Sequence, residues 1–189
     1  MIQEKGAKKN IKYLIFHYTG MKNDKLAIRK LTSFNSKVSC HYYIDKNGKL
    51  IQLVPDLYIA WHAGKSCWKD DKSLNNNSIG IEISNPGHEH GYKVFKKKQI
   101  ECLIKISKIL IKKYKIKIQN VLGHSDISPL RKKDPGEKFP WQFIANKKIG
   151  LWHKLNLNRC SKLRGQKNSI DNKFFFKKLK KFGYFVNTS

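Results

Sequence analysis

Residues 13–18 are apolar or aromatic at every position except His17, the pattern of a short strand buried on both faces with a histidine at its carboxyl end. Strand ends commonly open into sites, so His17 is a candidate functional residue and equally a candidate core histidine bonded to backbone. Asn23 or Asp24 can cap a helix running to about residue 34, because Ala27, Leu31 and Phe34 share one face. Two apolar-rich runs, 41–45 and 49–54, flank Lys46-Asn47-Gly48, and Asn-Gly in that setting predicts an antiparallel hairpin. Over 78–84 the residues Ile79, Ile81 and Ile83 fall on one face and Gly80, Glu82 and Ser84 on the other. A mid-strand carboxylate beside a glycine points to a close approach on that second face.

Residues 95–114 place Ile100, Leu103, Ile104, Leu110, Ile111 and Tyr114 at helical spacing with lysines opposite, which predicts the longest helix. The alternating, β-branched stretch 116–122 predicts a further strand that delivers the chain to His124. Between these elements, 60–77 reads as a long irregular segment of the kind that carries function or disorder. Residues 85–92 read as a loop holding His88 and His90, an exposed pair or lid. A short helix follows Phe139-Pro140-Trp141 to about 149, and 158–172 reads as a polar linker. The tail, 174–184, is amphipathic and ends at Gly183. One helix cannot bury its own face, so it docks on the main body or frays. The resulting division is an extension over 1–10, a main domain over 11–152, and a linker with a C-terminal helix over 153–189.

No apolar run approaches the roughly 20 residues that span a bilayer, and 11–16 is too short and mixed for a signal-peptide core. The expectation is a cytoplasmic monomer with no transmembrane segment, an envelope location being the alternative. A net charge of +27 on its own favours nucleic acid or another anionic surface. Arginine stands only at Arg29, Arg131, Arg159 and Arg164, however, so the charge is nearly all lysine and lacks the planar fork that reads bases. A solvated lysine coat explains it, and no nucleic-acid partner is expected. Cys40, Cys67, Cys102 and Cys160 are scattered without metal or disulfide spacing.

Chemistry concentrates between Gly123 and Gly136. His124 follows a strand, Asp134 is held by Pro135-Gly136, and Lys132 lies two residues before it. With His17, these make a two-imidazole, one-carboxylate set that suits a catalytic zinc with an open fourth position. Glu82 has the chemistry of a base and Lys132 that of a cation facing an oxyanion. Spacing alone does not assemble these five residues.

The motifs in order do. Phe16-His17-Tyr18-Thr19, Val38-Ser39-Cys40-His41-Tyr42, Ile59-Ala60-Trp61-His62-Ala63-Gly64, Asn77-Ser78-Ile79-Gly80-Ile81-Glu82 and Gly123-His124-Ser125-Asp126 through Asp134-Pro135-Gly136 resemble the zinc-dependent N-acetylmuramoyl-L-alanine amidases, AmiD- and AmpD-like, relatives of phage T7 lysozyme and the peptidoglycan recognition proteins. The resemblance covers 11–152. It implies an α/β fold, a central mixed sheet flanked by helices, with a short helical tail. It also implies cleavage of the amide between the lactyl group of N-acetylmuramic acid, intact or anhydro, and L-alanine of a peptidoglycan or muropeptide substrate. By motif it gives zinc to His17, His124 and Asp134 and catalysis to Glu82 and Lys132. Trp61, His62 and His41 are assigned to substrate binding on the cleft wall, or to the layer supporting the ligands. The tail is similar to the start of a helical peptidoglycan-binding module and reads as its remnant. The alternatives are a muropeptide-binding module without turnover and a basic nucleic-acid binder.

Overall fold

The structure, a computed structural model, describes residues 10–165 and 171–186, with the side chains of 157 and 163–165 left aside. Most of the expected extension and part of the expected linker lie outside the described residues. Within them the chain order is β1 (Tyr13–Tyr18), α1 (Asp24–Thr32), β2 (Tyr42–Ile44), β3 (Leu50–Gln52), β4 (Cys67–Trp68), β5 (Asp71–Lys72), β6 (Ser78–Ile83), α2 (Lys97–Tyr114), β7 (Val121–Gly123), α3 (His124–Ile127), α4 (Trp141–Ala145), α5 (Leu157–Gly165) and α6 (Asn172–Phe182). Five strands form one mixed sheet ordered β3-β2-β6-β1-β7. β2, β6, β1 and β7 run parallel, and β3 is antiparallel to β2. The architecture is α/β, a central mixed sheet flanked by helices.

Side-chain alternation divides the sheet into two unlike faces. Leu14, Phe16, Tyr42, Ile44, Ile79, Ile81 and Ile83 turn one way and are covered by Ile100, Leu103, Ile106 and Leu110 of α2. Each such side chain fully buried contributes roughly 1.5–3 kcal/mol, so this layer drives the assembly of the parallel strands. On the other face Tyr13, Ile15 and Leu122 pack with Trp68 and Leu74, and Tyr43 packs on Ala27 and Leu31 of α1. His17 and Glu82 continue this second face, opposite each other in the β1–β6 register. Both lie near the carboxyl ends of parallel strands, where open α/β sheets bind their ligands.

Local signals account for most boundaries. Asn23 caps α1 by accepting the Leu26 N–H at 3.0 Å. α6 starts at an Asp171 cap and stops at Gly183, whose N–H bonds the Leu179 carbonyl. Four segments differ from the sequence expectation, and the first is α4, which ends at Ala145, short of 149. Residues 60–77 contain the β4–β5 hairpin, and strands of two residues are too short to show periodicity. The strand before His124 is only Val121–Gly123, preceded by a 3-10 turn at Ile118–Asn120. The polar stretch taken for a linker contains α5, whose composition carries no apolar stripe to reveal it. No described helix is long and apolar enough to cross a membrane, and the four cysteines are free thiols.

Candidate active site

β1, the start of α3 and the loop after it bring three donor atoms to one point. His17 Nδ1 lies 2.9 Å from Asp134 Oδ2 and 3.0 Å from His124 Nδ1, and His124 Nδ1 lies 3.1 Å from Asp134 Oδ2. Among the described residues this is the group of His, Cys, Asp and Glu side chains able to hold a metal ion. A tetrahedral ion with bonds of about 2.0–2.1 Å sets its ligand atoms roughly 3.3 Å apart, close to the spacing found. Burial lowers the His17 pKa to about 4 against the opposing pull of Asp134. Burial by itself would raise the Asp134 carboxyl, but the adjoining His124 and His17 rings outweigh it and hold the group well below the carboxylate range. Neutral imidazole and ionised carboxylate are the forms that ligate.

The hydrogen bonds behind the cluster fix which ring nitrogens are bare. His124 Nε2 lies 3.1 Å from the Ala63 carbonyl, which only accepts, so the proton sits on Nε2 and Nδ1 keeps its lone pair. The His17 case runs through two more residues. Ser78 donates its hydroxyl to the Leu74 carbonyl, and must then accept from His62 Nε2 at 3.2 Å. His62 Nδ1 is thereby an acceptor for His17 Nε2–H at 3.0 Å, and His17 Nδ1 is left bare. Asn75 sets the height of this relay by accepting the N–H groups of His62 and Ala63 at 3.0 and 2.8 Å. Gly80 makes room for it, since a Cβ there would stand 2.4 Å from the His62 ring.

The cluster opens into a cleft of about 370 Å³ whose wall includes Trp61, His62, Glu82 and Lys132. Glu82 has one carboxylate oxygen, Oε2, that is buried without a hydrogen-bond partner. Burial first, and then the negative charge of Asp134, push its pKa well above the usual value, with Lys132 and Lys30 opposing. Trp61 is partly exposed on the wall, its backbone N–H bonded to Ser39 Oγ at 2.9 Å. Of the two places expected for His41, the cleft wall and the layer behind it, the structure has it in the second, off the cleft lining. It is fully buried, accepts the Gly80 N–H on Nδ1 at 3.1 Å and meets the Tyr58 carbonyl with Nε2 at 3.0 Å. It therefore ties β2 to β6 behind the wall. His88 sits on the cleft rim, bonded to the Tyr18 hydroxyl and to Glu137, and does not join the donor cluster.

Several supporting residues carry no sequence signal of their own. Arg131 donates to the carbonyls of Ala63 and Lys65, both at 3.0 Å, and so clamps one half of the site to the other. Tyr92 donates to the Pro135 carbonyl at 2.6 Å and steadies the turn after Asp134. Such pairings join segments far apart in sequence, so periodicity and spacing cannot show them.

Three donors that leave one side open to a cleft, beside a buried carboxylate and a lysine, have the layout of a hydrolase site. The family model for N-acetylmuramoyl-L-alanine amidase, Amidase_2, matches residues 7–137. The chain belongs to that family. It is 38% identical over 199 residues to the N-acetylmuramoyl-L-alanine amidase AmiD of Escherichia coli (strain K12), covering 97% of this chain and 70% of that protein. A solved complex of the E. coli AmiD with anhydro-N-acetylmuramic acid-L-Ala-D-gamma-Glu-L-Lys superposes with a TM-score of 0.82 at 36% identity, over 100% of this chain and 77% of that one. AmpDh3 of Pseudomonas aeruginosa in complex with anhydromuramic pentapeptide gives a TM-score of 0.84 at 26% identity, over 100% of this chain and 80% of that one.

Proposed function

We propose that the chain hydrolyses the amide between the lactyl carbonyl of N-acetylmuramic acid, intact or anhydro, and the L-alanine of a peptidoglycan stem. The observation that carries this reading is the convergence of His17 Nδ1, His124 Nδ1 and Asp134 Oδ2, each with a bare lone pair, next to a carboxylate with one buried oxygen that lacks a partner. Zinc is the ion we assign, because two imidazoles and one carboxylate match its catalytic donor sets. Held there, it would polarise the scissile carbonyl and acidify water.

The chain's own groups would do the rest. Glu82, made basic by burial, takes a proton from the attacking water as the oxygen bonds to the carbonyl carbon. The Lys132 ammonium faces the negative charge that develops on the carbonyl oxygen, a contribution of about 10²–10³ in rate for one well-placed donor. Glu82 then returns its proton to the alanine nitrogen as the C–N bond breaks, giving a free acid and a free amine. Trp61 and His62 border the space the substrate fills, and His62 also orients His17. Residues 11–152 are the catalytic unit in this reading.

The test is zinc content and stem-peptide release from soluble anhydro-muropeptide and from intact sacculi. Wild type is expected to hold one zinc and to cleave at least one of the two substrates, and Asp134→Ala is expected to lose both properties. A folded, zinc-loaded wild type that releases no stem peptide from either substrate would overturn the reading. Tight, steeply salt-dependent nucleic-acid binding would favour the alternative based on charge.

A further inference from the structure

The loop that carries His124 and Asp134 has a second support outside 11–152. Gly123, directly before His124, donates its N–H to Asp126 Oδ2 at 2.7 Å. The other oxygen of that carboxylate accepts the Tyr184 hydroxyl at 2.6 Å. Ser125, between them, donates its N–H to the Asp134 carbonyl at 2.9 Å. The four residues from Gly123 to Asp126 therefore hold one ligand and fix the backbone of another, and a tail residue fixes Asp126.

The tail end is itself locked. The Gly183 carbonyl accepts the Lys69 N–H at 2.7 Å, and Gly183 adopts φ +136°, a conformation that side-chain-bearing residues rarely take. A Cβ at that position would come within 2.6 Å of the Trp68 ring. Trp68, 1% exposed, meets the Tyr184 ring edge-on at 4.9 Å and the Phe182 ring at 6.1 Å. Trp68 packs in the same core cluster as Ile15, Leu122 and Ile127, on the sheet face that His17 continues. By contrast α6 has no buried residue. The helix contributes little packing, and its end, Gly183-Tyr184, is what the body grips.

We propose that Tyr184 is a positioning residue for the metal-ligand loop, so that the tail is a working strut of the site. This rests on the metal-site reading above. Without the hydroxyl, one oxygen of Asp126 turns to water and its grip on the Gly123 amide loosens. The ligand loop then samples arrangements that do not hold His124 against His17 and Asp134. Groups that orient ligands in this way typically account for about 10–100-fold in metal affinity or activity when removed.

The experiment uses the full chain. Tyr184→Phe keeps the ring on Trp68 and removes only the hydroxyl. Zinc affinity is read by competition with a chelator, Gly123 and Ser125 amide exchange is read in the metal-free protein, and kcat and KM are read on muropeptide. The expected result is about a tenfold loss of zinc affinity, faster exchange at Gly123, and a fall in kcat with KM unchanged. Gly183→Ala, which expels the tail from Trp68, is expected to give the same losses, with Trp68 fluorescence reporting the undocking. Wild-type zinc affinity and Gly123 exchange in Tyr184→Phe would overturn the proposal. So would an undocked Gly183→Ala that keeps its zinc affinity. If wild type bound no zinc, the metal reading would fall, while amide exchange in the metal-free protein would still decide whether the strut exists.

Discussion

Asp56 and Glu82 both withdraw a carboxylate from water, and the fold treats them in opposite ways. Asp56 accepts hydrogen bonds from Tyr42 Oη at 2.6 Å, Tyr114 Oη at 2.7 Å, Lys113 Nζ at 2.9 Å and Gln52 Nε2 at 3.3 Å. Burial alone would raise its pKa, but those donors outweigh it and hold the group below the ordinary carboxylate range. Glu82 keeps a buried oxygen with no partner, and burial drives its pKa the other way. The first arrangement joins the β2–β3 hairpin to α2 and contributes to stability. The second leaves a carboxylate whose unmet capacity is available to a reacting molecule. Satisfied and unsatisfied carboxylates thus separate a group that holds the protein together from the one proposed to act in the cleft.

The strongest way to break this comparison is Glu82→Gln, which keeps the shape and removes the base. We expect kcat to fall about 10²–10⁴-fold, the range for a lost general base. The sign for stability is the reverse. Because the folded pKa is raised, ionising Glu82 costs folding free energy as pH climbs past the unfolded carboxylate value, so the metal-free glutamine variant is expected to melt at the same temperature or higher. Activity within tenfold of wild type would remove Glu82 from the role of base. Gly80→Ala acts on the same strand by displacing the His62 ring, which a Cβ would approach to 2.4 Å. A loss of about 10–100-fold in zinc affinity is expected, measured by chelator competition. An unchanged affinity would mean that His17 needs no help from His62.

The sequence made one side of the comparison legible and hid the other. The isoleucines flanking Glu82 marked it as facing away from the core, and the β1–β6 register then set it opposite His17. That residues 17, 82, 124 and 134 meet was readable only through ordered motifs, because spacing gives no reason for it. Parallel pairing is non-local, and its register is decided by packing against α2. Asp56, in a loop after a hairpin, had no signal, since its four donors come from β2, β3 and α2. The Tyr184 contact with Asp126 was invisible for the same reason, and the helix pattern of the tail describes only its exposed part. His41 stayed open between the cleft wall and the layer behind it, because adjacent motifs do not say which layer a side chain enters.

Asp56→Asn tests the structural side of the comparison. It weakens the charge-assisted bonds from two tyrosines and a lysine, and we expect a loss of about 1–3 kcal/mol in urea unfolding with kcat per folded molecule unchanged. The pH dependence follows from the direction of the shift. A depressed folded pKa gives stability that is fully present above the unfolded value, about 3.9, and is lost as pH falls through the folded pKa. The gap between wild type and variant is therefore expected to be constant near neutrality and to close in acid. A gap that persisted at the lowest pH would assign the effect to shape and not to charge.

Lys113→Met gives the smallest effect and the finest discrimination. The lysine side chain is 57% exposed, whereas that of Asp56 is 7% exposed, so water already screens most of their attraction. Tyr42, Tyr114 and Gln52 remain as donors when the ammonium is gone. The expected cost is under about 1 kcal/mol and should shrink further in high salt. If the donor set stabilises Asp56, Lys113→Met and Asp56→Asn must differ clearly in unfolding free energy. If the two cost the same, charge neutralisation by one lysine would be what keeps Asp56 ionised, and the contrast with Glu82 would reduce to the strength of a single ion pair.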